Sequence, residues 1–423
     1  MHYVRPLRTA KISHAPHGGL SLSVLFTITT DLGDSFLYPE NGPLELLVAA
    51  LPAGVGLNTI DNTELSRSPV SRCMWEAGMR VLEAQIYLRP EWKKPSDVNC
   101  TVVIHPAQQL PLTAPKPEGL PLGSLHVHDV LPWGTRGNEK LETGIVMPVT
   151  LQIKKGVCAE ISYRTFDLGK KSDDDGDEHL GLVVEEDIGE SIARHIWDAG
   201  VLTSAYFADA CSTPEEIQQL IPAKDGFINV LELGSGVGIL GITVASILIK
   251  ASSAQKQTFR KATVLLTDVE EAEECARRNI SWAKTQLAQI YPGSALPNIQ
   301  YENLDWDKGK GGRFGPIAAT LLWDLVILSD CTYNVDSLPA LVGTLNALHS
   351  SKGRLKSIRA NREHVKSSVL LATKPRHSSE QALFGFLEKE SWRYQMIKEI
   401  SLPQISDEDE VVQIYLLEKG GLV

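Results

Sequence analysis

Residues 230–241 read VLELGSGVGILG, and this stretch decides which fold the sequence predicts. An apolar run ends at Glu232, glycines follow at every second position as Gly234, Gly236 and Gly238, and a second apolar run begins at once. Glycines permit a tight turn and let a ligand approach backbone N–H groups at the carboxyl end of a strand. The stretch therefore predicts a strand, a ligand-binding turn and a helix, the first unit of a parallel α/β sheet. A glycine-rich turn that binds nothing is the alternative.

Two ligands fit a glycine turn of this kind. Gly236, Gly238 and Gly241 formally satisfy the dinucleotide fingerprint, and Asp268, at the end of the next apolar run, could hold a ribose. The fingerprint begins two loop residues late, however, and the carboxylate of Glu232 would be unfavourable beside a pyrophosphate. S-adenosylmethionine carries no phosphate, and its ammonium and sulfonium groups attract an acid. S-adenosylmethionine is therefore the favoured cofactor, and NAD is the alternative.

Polar or aromatic residues also follow the next two predicted strands. Asp268 ends TVLLTD and could accept hydrogen bonds from both ribose hydroxyls, although an acid that caps the following helix is the alternative. In LDWD (304–307), Trp306 offers a flat face to an adenine ring, and Asp305 could accept from its exocyclic amine. Core packing of Trp306 is equally compatible with the sequence.

The predicted secondary structure divides the chain into three parts. Residues 1–165 predict a β-rich N-terminal module, with strands at 21–29, 81–88, 101–104, 144–153 and 157–163. Residues 166–186 contain the acidic run GKKSDDDGDEH and predict a linker. From 187 to 423 the alternation of helix and strand patterns predicts an α/β domain.

The α/β domain has a specific order of elements. Its predicted helices cover 187–210, 239–250, 270–290, 336–350 and 378–390. Its predicted strands cover 228–232, 263–267, 298–303, 323–329, 368–373, 394–400 and 411–418. Because only a short acidic turn separates the last two strands, the sheet should close with a β-hairpin, which a plain nucleotide-binding domain does not normally have.

Composition excludes several classes of protein. The 423 residues carry 41 basic and 52 acidic side chains, so a positive field over the whole protein is absent and nucleic acid is a disfavoured partner. Six well-separated cysteines without a CxxC pair indicate reduced thiols rather than disulfides or a zinc site, and no metal is predicted. The first twenty residues lack a secretory apolar region, and the longest apolar runs are too short to span a bilayer. We therefore expect a soluble, cytoplasmic protein that does not bind membranes; the nucleus stays open as a second location.

Three stretches together resemble a known family. They are HIWDAGVLTSAYFAD (195–209), the glycine stretch with TDVEEAEECARRNI (267–280), and WDLVILSDCTYNVDSLPALVGTL (323–345). From about 187 to 418 the chain resembles the seven-β-strand S-adenosylmethionine-dependent methyltransferases, and within them the lysine-methyltransferase-like branch, methyltransferase family 16. The stretch ATKPRHSSEQALFGFL (372–387) is similar to the fifth-strand motif of that family, with Arg376 at its basic position. The implied fold is a Rossmann-like seven-stranded sheet with a C-terminal β-hairpin.

The resemblance also implies roles for single residues around the cofactor. Without it, Trp197 would be interpreted as a buried aromatic on an amphipathic helix with Ile188, Ile192 and Ile196. With it, Trp197 packs on the cofactor, Glu232, Gly234 and Gly236 hold its methionine end, Asp268 holds the ribose, Trp306 the adenine, and Ser329 contacts the cofactor.

Asp330 and Tyr333 form the D-x-x-Y motif after the fourth strand, where the transferable methyl should point. Methyl transfer is an in-line displacement that needs a neutral nucleophile, and a lysine amine with a reference pKa of about 10.4 must first lose a proton. We expect Asp330 to hold the incoming ammonium and Tyr333 to accept a hydrogen bond from the amine or to shape the channel. A helix N-cap is the alternative for Asp330. The motif with two prolines that is used on planar nitrogens is missing, which argues against methylation of adenine or glutamine.

The sequence therefore predicts methyl transfer from S-adenosylmethionine to a lysine side chain of a protein substrate. A small-molecule N- or O-methyltransferase and a non-catalytic interaction protein that keeps the fold are the alternatives. The basic segment 351–368 is either a solvated loop or a contact for an acidic partner. The oligomeric state and the role of the N-terminal module, which could select a substrate or dock a partner, stay open.

Overall fold

The structure is a computed structural model of the 423-residue chain. It describes all residues except 53–67, 108–123, 134–143, 170–179, 190, 212–226, 255–260, 359–367, 404–409 and 421–423. The chain divides into two compact units. The first comprises Met1–Ile192 and Pro403–Asp409, and the second comprises Ala193–Leu402 and Glu410–Val423.

The regular structure in the described part of the first unit consists mainly of strands, which form two sheets. One sheet has the order β2-β3-β1-β9 with β6 also paired to β3, and the other has the order β13-β12-β10-β7-β4-β5 with β8 and β11 at its side. The strands are β1 (His2–Pro6), β2 (Lys11–His14), β3 (Leu20–Thr29), β4 (Leu44–Pro52), β5 (Val70–Trp75), β6 (Leu82–Tyr87), β7 (Cys100–Pro106), β8 (Ser124–His126), β9 (Val146–Met147), β10 (Val149–Lys154), β11 (Val157–Cys158), β12 (Ile161–Asp167) and β13 (Gly181–Asp187).

Alternating apolar residues of both sheets meet in one core. Leu22, Val24 and Phe26 on β3 and Val102 and Ile104 on β7 are fully buried members of it. The β-rich N-terminal module is therefore confirmed.

The predicted boundary between the two parts of the chain is corrected. β12 continues to Asp167 and β13 begins at Gly181, so both ends of the predicted linker 166–186 are paired strands. The compact units divide after Ile192 instead. The acidic run itself, 170–179, lies outside the described residues. Residues 181–187 form a strand because they pair with β12. The linker prediction rested on the local charge pattern, which does not reveal such pairing.

A buried arginine ties the two sheets of the first unit together. Arg164 on β12 is 1% exposed, and its guanidinium donates to Glu186 on β13 and to the backbone oxygen of Val4 on β1. It also donates to the backbone oxygens of Met147 and Pro148, at 3.1 and 2.7 Å. A buried charge is tolerated only with such complete pairing, so this side chain holds both sheets in register.

Removing this arginine should destabilise the first unit. Arg164→Met leaves the Glu186 carboxylate buried without its cation, and breaking a buried pair in this way costs about 3–5 kcal/mol. Urea unfolding followed by circular dichroism measures the change. Arg72→Met, which removes an exposed arginine that pairs with Glu45, is the matched control and should have little effect. Equal losses in the two variants would contradict the role of Arg164.

The second unit contains a seven-stranded sheet with the order β16-β15-β14-β17-β18-β20-β19. The first five of its strands in chain order run parallel, and β20 is antiparallel to both β18 and β19. The Rossmann-like sheet with a closing β-hairpin is therefore confirmed. The strands are β14 (Phe227–Leu233), β15 (Lys261–Asp268), β16 (Asn298–Asn303), β17 (Leu325–Ser329), β18 (Ser368–Thr373), β19 (Trp392–Ser401) and β20 (Val411–Lys419).

In the described residues, one α-helix precedes these strands and six α-helices lie between them. They are α1 (Asp198–Ala210), α2 (Ile239–Ala254), α3 (Glu270–Ile290), α4 (Trp306–Gly309), α5 (Pro316–Thr320), α6 (Leu338–Ile358) and α7 (Ala382–Lys389). The predicted helix 187–210 is wrong in its first half, because β13 reaches Asp187 and α1 begins only at Asp198. Helix α6 extends beyond its predicted end at 350 to Ile358, so the first part of the basic segment 351–368 is helical, and 359–367 lie outside the described residues.

The strand order reverses at β14, which has β15 on one side and β17 on the other. Ligands of open α/β sheets bind at such a switch point, outside the carboxyl ends of the strands. The glycine turn lies there. Among the helices of the described residues, none combines the length and the apolar character that crossing a membrane requires.

Candidate functional site

The glycine turn after β14 has a backbone that favours glycine. Gly234 has a φ of +66° and Gly238 a φ of +88°, which other residues rarely adopt. A Cβ on Gly234 would also lie 2.5 Å from the Cys331 sulfur and 3.2 Å from the Trp306 ring. The turn is therefore glycine-rich both for its conformation and because neighbouring side chains pack directly against it.

Glu232 lies at the end of β14, 1% exposed, beneath this turn. Its Oε2 accepts a hydrogen bond of 3.0 Å from the backbone N–H of Gly241, in the first turn of α2. Burial raises the pKa of Glu232 to about 8, against a smaller lowering by this hydrogen bond. The contact requires a glycine at position 241, because a Cβ there would collide with the Glu232 carboxylate.

Asp268 lies at the end of β15 and ties the glycine turn in place. Its Oδ2 accepts from the backbone N–H of Gly236 and its Oδ1 from that of Val269, each at 2.7 Å. Burial raises the pKa of Asp268 above its ordinary value. It does not cap the first turn of α3, so that alternative is wrong. No ion pair among the described residues includes Glu232 or Asp268.

Trp306 and Asp305 stand beside the same turn. Trp306 begins α4 and packs against the core of the second unit, with its ring over Gly234. Asp305 caps α4 by accepting from the backbone N–H of Asp307 at 2.9 Å. Core packing of Trp306 and its position at the turn therefore coexist, and the roles of Trp306 and Asp305 toward an adenine stay predictions.

Trp197 is not part of a helix face. It is the N-cap of α1, in extended conformation, and the interpretation as an aromatic within an amphipathic helix is wrong. The guanidinium carbon of Arg376 lies 5.6 Å from the centroid of its ring. Ser329, at the end of β17, faces the same helix, since a Cβ on Gly200 would lie 3.6 Å from its Oγ.

Asp330 points inward. It has a φ of +53° and is 7% exposed. Its Oδ1 accepts from Arg376 Nη1 at 2.7 Å, and its Oδ2 accepts from the backbone N–H of Ala199 at 2.9 Å. The alternative of a helix cap is thus partly correct, but the helix is α1, far earlier in the chain. Its role toward a substrate stays a prediction.

Tyr333, three residues later, is 52% exposed. Partial burial raises the pKa of its hydroxyl, with smaller contributions from Cys331, Asp268 and Glu271. The hydroxyl therefore keeps its proton at neutral pH. Its role toward the acceptor amine also stays a prediction.

The sequence analysis gave no role to three residues at the carboxyl edge of the sheet: Asp198, Cys331 and Lys374. Lys374 Nζ lies 2.9 Å from Asp198 Oδ2, and both side chains are almost completely buried. Cys331 lies beneath the turn, where it donates to the Leu233 backbone oxygen, and burial raises the pKa of its thiol well above the ordinary value. The basic pair Lys374 and Arg376 beside a buried strand was a usable signal.

A cavity of about 610 Å³ opens at the carboxyl end of β18. Arg376 is in its lining, together with Thr332 from the D-x-x-Y motif and the aromatic side chains of Phe384, Tyr394 and Tyr415. The cavity is therefore next to the predicted catalytic edge and has both polar and aromatic walls.

The model of the lysine methyltransferase family matches residues 177–390, which is half of the chain. The chain belongs to this family. It is 29% identical over 250 residues to a UPF0665 family protein of Schizosaccharomyces pombe, covering 59% of this chain and 58% of that protein. It is 30% identical over 173 residues to the protein-lysine N-methyltransferase EFM6 of Saccharomyces cerevisiae, covering 39% and 61%. The chain thus spans about three fifths of the length of these relatives.

Among solved structures, the chain is similar to TYW2 of Pyrococcus horikoshii in complex with MeSAdo. The TM-score is 0.31 at 10% identity, covering 67% of this chain and 81% of that one. A similarity at this level carries no information on function.

The raised pKa of Glu232 predicts that the stability of the folded chain depends on pH. This pKa is about 8 in the folded chain against an ordinary pKa of 4.5, so the folded state retains a proton that the unfolded state loses. The stability linked to this group is therefore complete below about pH 4.5 and is lost as the pH rises to 8, by at most about 5 kcal/mol. Glu232→Gln should remove this loss, and its gain in melting temperature over the parent should grow from pH 5.5 to pH 8.

The matched control is Glu274→Gln, which changes an exposed acid on α3. Thermal melts of the parent and of both variants across this pH range measure the effect. A difference between parent and Glu232→Gln that does not change with pH would show that Glu232 ionises normally.

Proposed function

We propose that this chain is an S-adenosylmethionine-dependent methyltransferase that acts on a lysine side chain of a protein. The observation that carries the proposal is the buried Glu232 at the glycine turn, with a pKa raised to about 8. A buried carboxylate without a cation within the described part of the chain suits a ligand that brings its own positive charge.

The chemistry of the donor set fits this cofactor. Glu232 with the backbone of the glycine turn would hold the cationic methionine end, and Asp268 would accept from the ribose hydroxyls. Trp306 and Asp305 would hold the adenine, and Ser329 and Trp197 would pack along the cofactor. A pyrophosphate fits poorly beside the carboxyl groups of Glu232 and Asp268, with which no cation among the described residues pairs, and this disfavours NAD.

When bound, S-adenosylmethionine supplies an electrophilic methyl group on its sulfonium. The residues of the chain would position the acceptor nitrogen, because an in-line displacement requires that nitrogen to be neutral and aligned with the methyl group. Tyr333 is exposed and keeps its proton, so its Oη could accept from the amine or donate to a neighbouring group. The cavity beside Arg376 and Thr332 is large enough for a side chain with its flanking backbone.

Family membership supports lysine as the acceptor, and the printed name of EFM6 supports a protein as the substrate. The relatives align over only part of their length, so the substrate is a proposal for this chain. A small-molecule substrate and a non-catalytic role are outcomes of the test below.

The test uses tritiated S-adenosylmethionine and an extract of cells that lack this chain. The parent protein should label at least one protein band, and hydrolysis of that band should release methylated lysine. Asp268→Ala removes the acceptor of two hydrogen bonds at the turn and should reduce the labelling by at least tenfold. Asp307→Ala removes an exposed acid on α4 and is the matched control, which should label as well as the parent.

Three results would overturn the proposal. Tritium found only in molecules that pass a 3 kDa filter, or a label on a residue other than lysine, would overturn the assignment of the substrate. Failure of the parent to bind S-adenosylhomocysteine in calorimetry would overturn the assignment of the cofactor.

A further inference from the structure

We propose that Asp330 and Arg376 are positioning residues: their ion pair fixes Trp197 and the first turn of α1 beside the cofactor site, and Asp330 does not receive the substrate amine. This inference rests on the proposed function, because it assigns to Trp197 a place along the cofactor. Asp330, the acid of the D-x-x-Y motif, would then orient neighbouring residues of the site instead of holding the substrate ammonium.

The first step concerns the charge of Asp330. Its carboxylate is buried, and Arg376 Nη1 contacts Oδ1 at 2.7 Å. A carboxylate whose charge is already compensated by a guanidinium offers little net attraction to a second cation. An incoming lysine ammonium would have to displace Arg376 and leave that cation without its partner, which is costly at a buried site.

The second step concerns the start of α1. Its N-cap residue is Trp197, whose side chain makes no capping hydrogen bond. Ala199 is the second residue of the helix, and its backbone N–H donates to Asp330 Oδ2. Caps normally satisfy the N–H of the second or third helical residue, and an acid is favourable at this end of the helix dipole. Asp330 therefore supplies from the end of β17 the cap that the local sequence lacks.

The third step concerns the ring of Trp197. Arg376, which pairs with Asp330, also has its guanidinium carbon 5.6 Å from the ring centroid, within the range of a cation–π contact. The planar guanidinium can stack on a ring and pair with a carboxylate at the same time, which an ammonium does less well. The orientation of the Trp197 ring is thus coupled to Asp330 through Arg376.

The fourth step concerns the backbone of Asp330. Its φ of +53° is uncommon for a residue other than glycine, although aspartate tolerates this region better than most residues. In this conformation the carboxylate reaches the first turn of α1. Strained residues of this kind persist where the surrounding structure determines them and are concentrated at functional sites.

A second ion pair, formed by Lys374, should keep the unit folded when the pair of Asp330 and Arg376 is changed. Lys374 Nζ contacts both Asp198 Oδ2 and Glu410 Oε2 at 2.9 Å, so Lys374 already joins the end of β18 to the first residue of α1. Attachment of the helix does not depend on Arg376 alone. Conservative changes at Arg376 should therefore leave the fold intact and act on Trp197.

The test combines ligand affinity with the environment of Trp197. Arg376→Lys keeps the charge but loses the planar stacking, and Asp330→Asn keeps an oxygen for the Ala199 N–H but loses the ion pair. Calorimetry with S-adenosylhomocysteine should show about fivefold weaker binding for Arg376→Lys and for Trp197→Phe. The double variant should be no weaker than either single one, because both changes remove the same contact.

The second readout needs no ligand. The fluorescence of Trp197 is obtained as the difference between each protein and the same protein carrying Trp197→Phe. Acrylamide should quench this difference signal more strongly in Arg376→Lys and in Asp330→Asn than in the parent. Arg393→Lys, an exposed arginine on β19, is the matched control and should change neither quenching nor affinity.

Either of two results overturns the inference. One is a quenching of Trp197 that Arg376→Lys and Asp330→Asn leave unchanged. The other is additive losses of affinity in the double variant. If the parent binds no S-adenosylhomocysteine, the proposed function fails, while the quenching of the unliganded protein still decides whether the pair positions Trp197.

Discussion

The carboxylate of Asp330 connects three parts of the second unit at the place where the chemistry is expected. It belongs to the end of β17, it accepts from Arg376 just after β18, and it caps α1. None of these elements is adjacent to another in sequence. Without this contact, the start of α1 would have an unsatisfied backbone N–H, and Trp197 would lose the cation packed on its ring.

The acids at this sheet edge differ in how their charge is compensated. Asp330 has an internal cation, whereas the ion pairs of the described residues do not include Glu232 or Asp268. A protein stabilises a buried carboxylate either by pairing it or by leaving it partly protonated until a ligand arrives. Asp330 has the first arrangement, and Glu232 and Asp268 have the second, which is the one proposed for the cofactor site. This contrast separates acids that share one position in the sequence pattern, at or just after the ends of parallel strands.

Local pattern predicted the second unit well and the first unit less well. The strand 298–303 and the helix 270–290 have the predicted bounds, because each has a clear period and a clear end. Strand β4, Leu44–Pro52, is buried almost throughout, so no alternation marks it. The predicted strand 144–153 is two strands in different sheets, and Pro148, which has no N–H to donate, stands between them. The error at 181–187 has a different cause, because pairing with β12 decides the conformation there.

The sequence by itself determined the α/β fold of the second unit, the glycine turn and the identity of the acids at the strand ends. These follow from local periods, from the conformational freedom of glycine and from the rule that parallel strands present their carboxyl ends on one edge. Only the tertiary structure decided what each acid does. The cation that compensates Asp330 is 46 residues later and the N–H that it accepts from is 131 residues earlier, and the charge state of a buried group depends on such distant neighbours.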